Sequence, residues 1–154
     1  MNGSATVVRS GCMAKDADMI LSEFILLGIG GKELSEENAA QTAKALNIIQ
    51  PDFIRVHATG IKLESKLGEF VRDGSFTLQS EEEIVIEQKL FLQQLHEMDS
   101  YYVNEHIVNL LLEVRGNLRT EKQEMLSTID RFLTLPPDER LLFTVGRRLN
   151  IFFR

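Results

Sequence analysis

The residues in this sequence best suited to chemistry are few: Arg55 and His57, a glycine-rich turn at Gly28-Ile29-Gly30-Gly31, three histidines and a single cysteine, Cys12. Arg55 and His57 stand two apart in Phe53-Ile54-Arg55-Val56-His57, a stretch whose β-branched and aromatic residues read as a strand, so their side chains share one face. A guanidinium and an imidazole on an inward face would meet a ligand carboxylate. On an edge strand the same charges would discourage edge pairing, and both readings stay open. Gly28, Gly30 and Gly31 would let a ligand approach the backbone closely, or would only form a tight turn between strand and helix. Their spacing departs from GxGxxG, and no phosphate-loop lysine accompanies them. His57, His96 and His106 show no HExxH or other close metal spacing, so no histidine-bound metal is expected. His96 fits a helix C-terminus, where the dipole favours it. One thiolate cannot by itself hold a cysteine-ligated zinc or an iron-sulfur cluster. Glu81-Glu82-Glu83 reads as the first turn of a capped helix rather than an acid/base pair, and Arg147 and Arg148 as helix-end cations. The scattered methionines read as core residues.

The elements that must hold these residues follow from periodicity. Phe24-Ile25-Leu26-Leu27 is an unbroken apolar run, which predicts a strand buried on both faces of a parallel sheet. Ser35 is expected to cap the next helix, with Glu36 and Glu37 in its first turn, Ala39, Ala43 and Leu46 as a small-residue stripe, and Pro51 as its stop. With Phe53 to His57 as the second strand, this is a βαβ unit with a right-handed crossover. Leu63, Leu67 and Phe70 predict a second crossover helix ending at Gly74. Ser80 with Glu83 is a capping box, and Ile84, Phe91, Leu95 and Met98 carry that helix to about Glu97. Tyr101-Tyr102-Val103 is too short to assign, and Ile107 to Leu112 reads equally as strand or helix. Thr120 with Gln123 predicts another capping box ahead of Met125, Ile129, Phe132 and Leu133. Pro136-Pro137 then separates a last helix bearing Leu141, Leu142, Val145 and Leu149. The expected fold class is α/β, with two parallel strands and crossover helices in residues 1–75 and a mainly helical extension in 76–154. Two parallel strands leave backbone groups open, so a missing half of the protein, or self-association through strand edges, is expected to complete them.

Composition narrows the function classes. With 154 residues, of which 44% are hydrophobic, the chain can build a core without disulfides. A net charge of -6 and a pI of about 5.1 argue against a nucleic-acid partner. The longest apolar stretch, Phe24 to Ile29, is far short of a membrane span, so no membrane partner is expected. The N-terminal MNGSATVVRSG has no basic segment leading into an apolar run, which points to a cytoplasmic protein.

Beyond these features, FILLGIGGKELSEENAAQTAKALNIIQPDFIRVHATGIKLESKLGEFVRDGSF is similar to the second half of the radical SAM enzyme domain. LQSEEEIVIEQKLFLQQL and YYVNEHIVNLLLEVRGNLRTEKQEMLSTIDRFL resemble the C-terminal extension of a bacterial subgroup of that family. Asn2-Gly3-Ser4 resembles the glycine-serine turn after the fourth barrel strand, while residues 5–22 match poorly. The resemblance implies the last strands of a partial (β/α) barrel with its helical extension. It implies S-adenosylmethionine and a [4Fe-4S] cluster as the family's cofactors. It places Gly28, Gly30 and Gly31 on the adenosine side of the S-adenosylmethionine pocket and turns Arg55 and His57 toward the barrel lumen. His106 and Asn109 fall in a histidine-asparagine motif of the subgroup, which implies substrate contact or structural hydrogen bonding. The family's CxxxCxxC loop, whose thiolates hold the cluster, is absent from this sequence. The resemblance is therefore to a truncated radical SAM domain, expected to be inactive by itself. A non-catalytic protein-binding or assembly module is the alternative.

Overall fold

The computed structural model describes residues 3–62 and 64–152. The elements are α1 (Gly3–Asp16), β1 (Ser22–Leu27), α2 (Ser35–Ile49), β2 (Phe53–Ala58), α3 (Lys66–Arg72), α4 (Glu81–Gln94), β3 (Tyr101–Val103), β4 (Gly116–Asn117), α5 (Lys122–Leu133) and α6 (Pro137–Phe152). The fold is α/β, with an open mixed sheet ordered β1-β2-β3-β4. As the sequence predicts, β1 and β2 are adjacent and parallel, with Phe24 opposite Arg55 and Leu26 opposite His57. The expectation of two strands was too low. Tyr101 to Val103 adds β3, parallel to β2, and β4 closes that side antiparallel to β3. Such short strands carry no periodicity of their own; Tyr102 is held there by complete burial and by the Gln88 side-chain amide donating to its hydroxyl at 3.1 Å.

The core lies on one side of the sheet. Ile25, Leu27, Ile54, Val56 and Tyr102 pack in a single cluster with Ala39, Ala43 and Leu46 of α2, Val85, Phe91 and Leu92 of α4, and Met125, Ile129 and Phe132 of α5. The small α2 stripe brings that helix close to the sheet, as the alanine spacing predicts. The expectation that β1 is buried on both faces is overturned: Phe24 is 64% and Leu26 46% exposed, while Ile25 and Leu27 point into the core. An apolar run fixes that a strand can be covered on both faces, not that anything covers it.

Local signals held unevenly. The Ser80 to Glu83 capping box forms in both directions. Ser35 is not a cap; it begins α2, Leu34 holds the cap position without a side-chain bond, and the Ser35 hydroxyl instead donates to Glu87 at 2.7 Å. Thr120 does not cap α5 either, since the helix starts one residue later behind Glu121, again without a side-chain bond. Before Pro51, α2 ends through Gln50 in the left-handed conformation, its N–H donating to Leu46 O. α4 stops at Gln94, short of Glu97. Ile107 to Leu112 is neither strand nor helix but a series of turns. α1, over the poorly matching N-terminal stretch, packs on α2, with Gly11 leaving room for Ile49, whose Cγ2 would lie 2.7 Å from an added Cβ. Gly74 takes φ +79 just beyond α3. Leu63 and Asn2 lie outside the described residues.

Candidate functional site

Strand alternation places Phe24 and Leu26 of β1, Arg55 and His57 of β2, and Val103 of β3 on the sheet face opposite the helices. There Phe24, Arg55, His57 and Val103 open onto a groove of about 260 Å³ that Val56, Glu105 and His106 also line. The His57 and His106 rings stack, 4.0 Å between centroids and 20° from parallel, and Phe24 meets His57 edge-on at 5.4 Å. Arg55 Nε donates to Ser22 Oγ at 3.0 Å, and its guanidinium lies 5.8 Å from the Phe53 ring centre. Glu105 is drawn to Arg115 at 3.0 Å. His106 Nδ1 is buried without a hydrogen-bond partner. Of the residues singled out from sequence, Arg55, His57 and His106 therefore share one groove.

Desolvation holds His57 below the usual histidine range, reinforced by the neighbouring His106 ring and the Arg55 guanidinium. The groove thus combines an imidazole that favours its neutral form with a permanent cation, an arrangement that can accept an anionic group and hydrogen-bond it. Ring nitrogens direct their lone pairs within the ring plane, so two stacked imidazoles do not converge on one ion. Among the described residues, no group of three or more His, Cys, Asp or Glu side chains is placed to hold a metal. The depressed pKa has a thermodynamic consequence. The unfolded chain binds the His57 proton more readily than the folded one, so stability from neutral His57 is present above the ordinary value of 6.5 and is lost as pH falls through it toward the folded value. Chemical denaturation at a series of pH values should show stability falling in that window, and His57→Gln should flatten the fall. An unchanged profile in the variant would refute it.

Asn109 holds the groove's second wall. It is buried, its Oδ1 accepts from Ala58 N–H at 2.7 Å, and its Nδ2 donates to Val56 O at 2.7 Å and to Asn104 Oδ1 at 2.5 Å. Where β3 ends at Val103, the Asn109 amide supplies to β2 the donor and acceptor that a further strand residue would have offered. Asn104 in turn donates to Leu111 O at 2.6 Å. The loop is thereby fixed to β2, and His106 is carried over His57.

The three glycines do not line this groove. Gly28 (φ +81) and Gly31 (φ +63) need left-handed backbone, and the room a side chain would take is already filled: a Cβ on Gly30 would sit 2.9 Å from Leu34 O, and one on Gly31 2.9 Å from Thr77 O. Gly28 N–H donates to Glu87 Oε1 at 3.1 Å. Glu87 is fully buried and also accepts from Ser35 Oγ and Asn38 Nδ2, both at 2.7 Å, so one carboxylate of α4 ties the turn to the start of α2. Sequence reasoning passed over it. Its signal was position, a carboxylate three residues after Ile84 and four before Phe91 on an otherwise apolar helix stripe.

The Glu81-Glu82-Glu83 cluster is occupied by structural pairing. Glu81 meets Arg148 at 2.5 Å, Glu82 meets Arg140 at 3.4 Å, and Glu83 meets Lys32 at 2.8 Å. The Lys32 bond and the Ser80 N–H hold the Glu83 carboxyl down to about 2. Cys12 lies half-buried on α1. Among the described residues, no helix is long and apolar enough to cross a membrane. Comparison with protein-family models, with curated proteins and with solved structures gives no match.

Proposed function

We propose that this chain is the C-terminal part of a radical SAM protein, contributing the last strands of a (β/α) barrel and a helical extension to an enzyme that cleaves S-adenosylmethionine at a [4Fe-4S] cluster. The observation that supports this reading, beside the sequence resemblance, is the one-sided sheet. In such a barrel the helices lie outside and the other strand face lines the interior. Here the helices pack on one face, while the other presents Phe24, Arg55 and His57 to an open groove. In this reading that face is lumen wall, Arg55 and His57 face the ligand, and His106, held by Asn109, closes the side. Among the described residues β1 has a strand partner on one side only, so in this reading its other edge is where the preceding strand would pair.

The cluster does not fit this chain alone. It needs three thiolates, and the only cysteine is Cys12. The required partner is a missing N-terminal half. Anaerobic reconstitution of the 154-residue chain with iron and sulfide is expected to give no stoichiometric cluster, and S-adenosylmethionine with a reductant no 5'-deoxyadenosine. A segment bearing CxxxCxxC and the first four strands, supplied in trans, is expected to restore cleavage. Cluster absorption with 5'-deoxyadenosine from the chain alone would overturn the reading. A second reading, a non-catalytic assembly module, is favoured by the antiparallel β4, which a parallel barrel would not contain. Binding of the added segment without cleavage would support that reading instead.

A further inference from the structure

The groove over β2 carries a positive charge that no carboxylate of the fold answers. Arg55 Nε is taken by Ser22 Oγ at 3.0 Å, but the guanidinium has no ion pair among the described residues. Its two terminal nitrogens are unclaimed, a planar fork on a residue that lines the groove. Glu105, the carboxylate on the same wall, is already drawn to Arg115 at 3.0 Å. Among the described residues no hydrogen bond claims a ring nitrogen of His57, whose ring contacts are His106 and Phe24. β1 turns Ser22, Phe24 and Leu26 to this face, and none of them titrates. The charged and titratable groups facing His57 are therefore Arg55, His106 and Glu105, the last with Arg115 behind it. Phe24, Val56 and Val103 make the rest of the wall apolar.

We propose that this groove binds a small carboxylate with an apolar body, gripped by the Arg55 fork, and that binding is linked to a proton on His57. A carboxylate matches the fork in plane and in charge. A phosphate brings further oxygens that the apolar wall cannot satisfy. The volume of about 260 Å³ falls just under the roughly 300 Å³ at which ligand pockets begin, which limits the body to the size of one ring. Desolvation and the adjacent Arg55 keep His57 neutral at neutral pH in the empty groove. A bound carboxylate supplies the missing counter-charge and favours the protonated ring, so affinity rises as pH falls, and the ligand lifts the His57 pKa by the same factor. Arg55 and His57 stand two residues apart on one strand, about 7 Å. Attraction across about 7 Å, even at the dielectric of water, is worth about a factor of three.

Benzoate is the probe, and benzamide, its uncharged counterpart in shape, is the control. Titration of the 154-residue chain at constant ionic strength, followed by the imidazole resonances, is expected to give a benzoate Kd of about 1–10 mM. Affinity should increase toward that factor of three between about pH 8 and about pH 5.5, with the His57 pKa moved upward, and His57→Gln should remove the pH dependence. Arg55→Gln should weaken binding at least about tenfold, and Arg55→Lys, which keeps the charge but not the fork, by less. Circular dichroism checks that each variant is folded, and if Arg55→Gln is not, the contrast between benzoate and benzamide on the parent chain decides alone. Absence of an imidazole shift with benzoate, benzamide or inorganic phosphate binding as tightly, or undiminished affinity in folded Arg55→Gln would each overturn the proposal. It rests on the reading that Arg55 and His57 face a ligand, yet is decided separately: benzoate binding is read on this chain alone, whereas the radical SAM reading is read by 5'-deoxyadenosine from the chain with its added segment.

Discussion

Glu87→Leu is expected to lose about 4 kcal/mol of folding stability, and Glu87→Gln only about 1 kcal/mol, read as midpoint shifts in urea denaturation. The carboxylate is fully buried and accepts from the Gly28 amide, the Ser35 hydroxyl and the Asn38 side chain. Leucine fills similar space but takes the acceptor from the Gly28 amide and the Ser35 hydroxyl and one of two from the Asn38 amide, which keeps Leu26 O, and an unsatisfied buried polar group costs about 1–3 kcal/mol. Glutamine keeps one carbonyl oxygen for Gly28 and Asn38, while the Ser35 hydroxyl can turn to accept from the new amide. The loss should also be local in its first effect: amide exchange at the glycine turn and the first turn of α2 should accelerate before the sheet opens. A leucine variant as stable as the parent would show that the carboxylate does not bind these elements together.

Asn109→Leu should cost about 3 kcal/mol and take the histidine stack apart. The substitution leaves Ala58 N–H and Val56 O unpaired at the end of the β2 ladder and removes the contact with Asn104. Asn109→Asp is no rescue, because it keeps the acceptor for Ala58 but sets a carboxylate against two oxygens, Val56 O and Asn104 Oδ1. In both variants the loop loses its attachment and His106 leaves His57, so the His57 pKa should rise toward 6.5 as desolvation and the neighbouring imidazole are removed. Nuclear magnetic resonance titration of the imidazoles separates this from general destabilisation. A His57 pKa unmoved in a folded Asn109→Leu variant would show that Asn109 does not position the groove.

The parts of the fold legible in the sequence are those whose information is local. The β1, α2, β2 unit follows from an apolar run, an alanine stripe and a β-branched stretch, and the α4 start from Ser80 with Glu83. What the sequence does not carry is which groups other elements will claim. Ser35 has a cap's chemistry, but its hydroxyl is taken by Glu87 from a distant helix. Leu110, Leu111 and Val114 are apolar because they are buried, yet Asn104 and Asn109 hold their segment in turns, so burial there has neither helical nor strand period. β3 needs only three residues because β2 already offers a ladder. The groove was half legible: alternation puts Arg55 and His57 on one face, but only the Asn109 bracket, made between residues about fifty apart, brings His106 to them.

Reading the coding DNA immediately upstream of this chain bears hardest on the radical SAM proposal, because that proposal needs three cluster thiolates and this sequence supplies only Cys12. The expected result is a CxxxCxxC loop followed by four further strand and helix repeats, in any reading frame. An upstream region that encodes an unrelated product would contradict it.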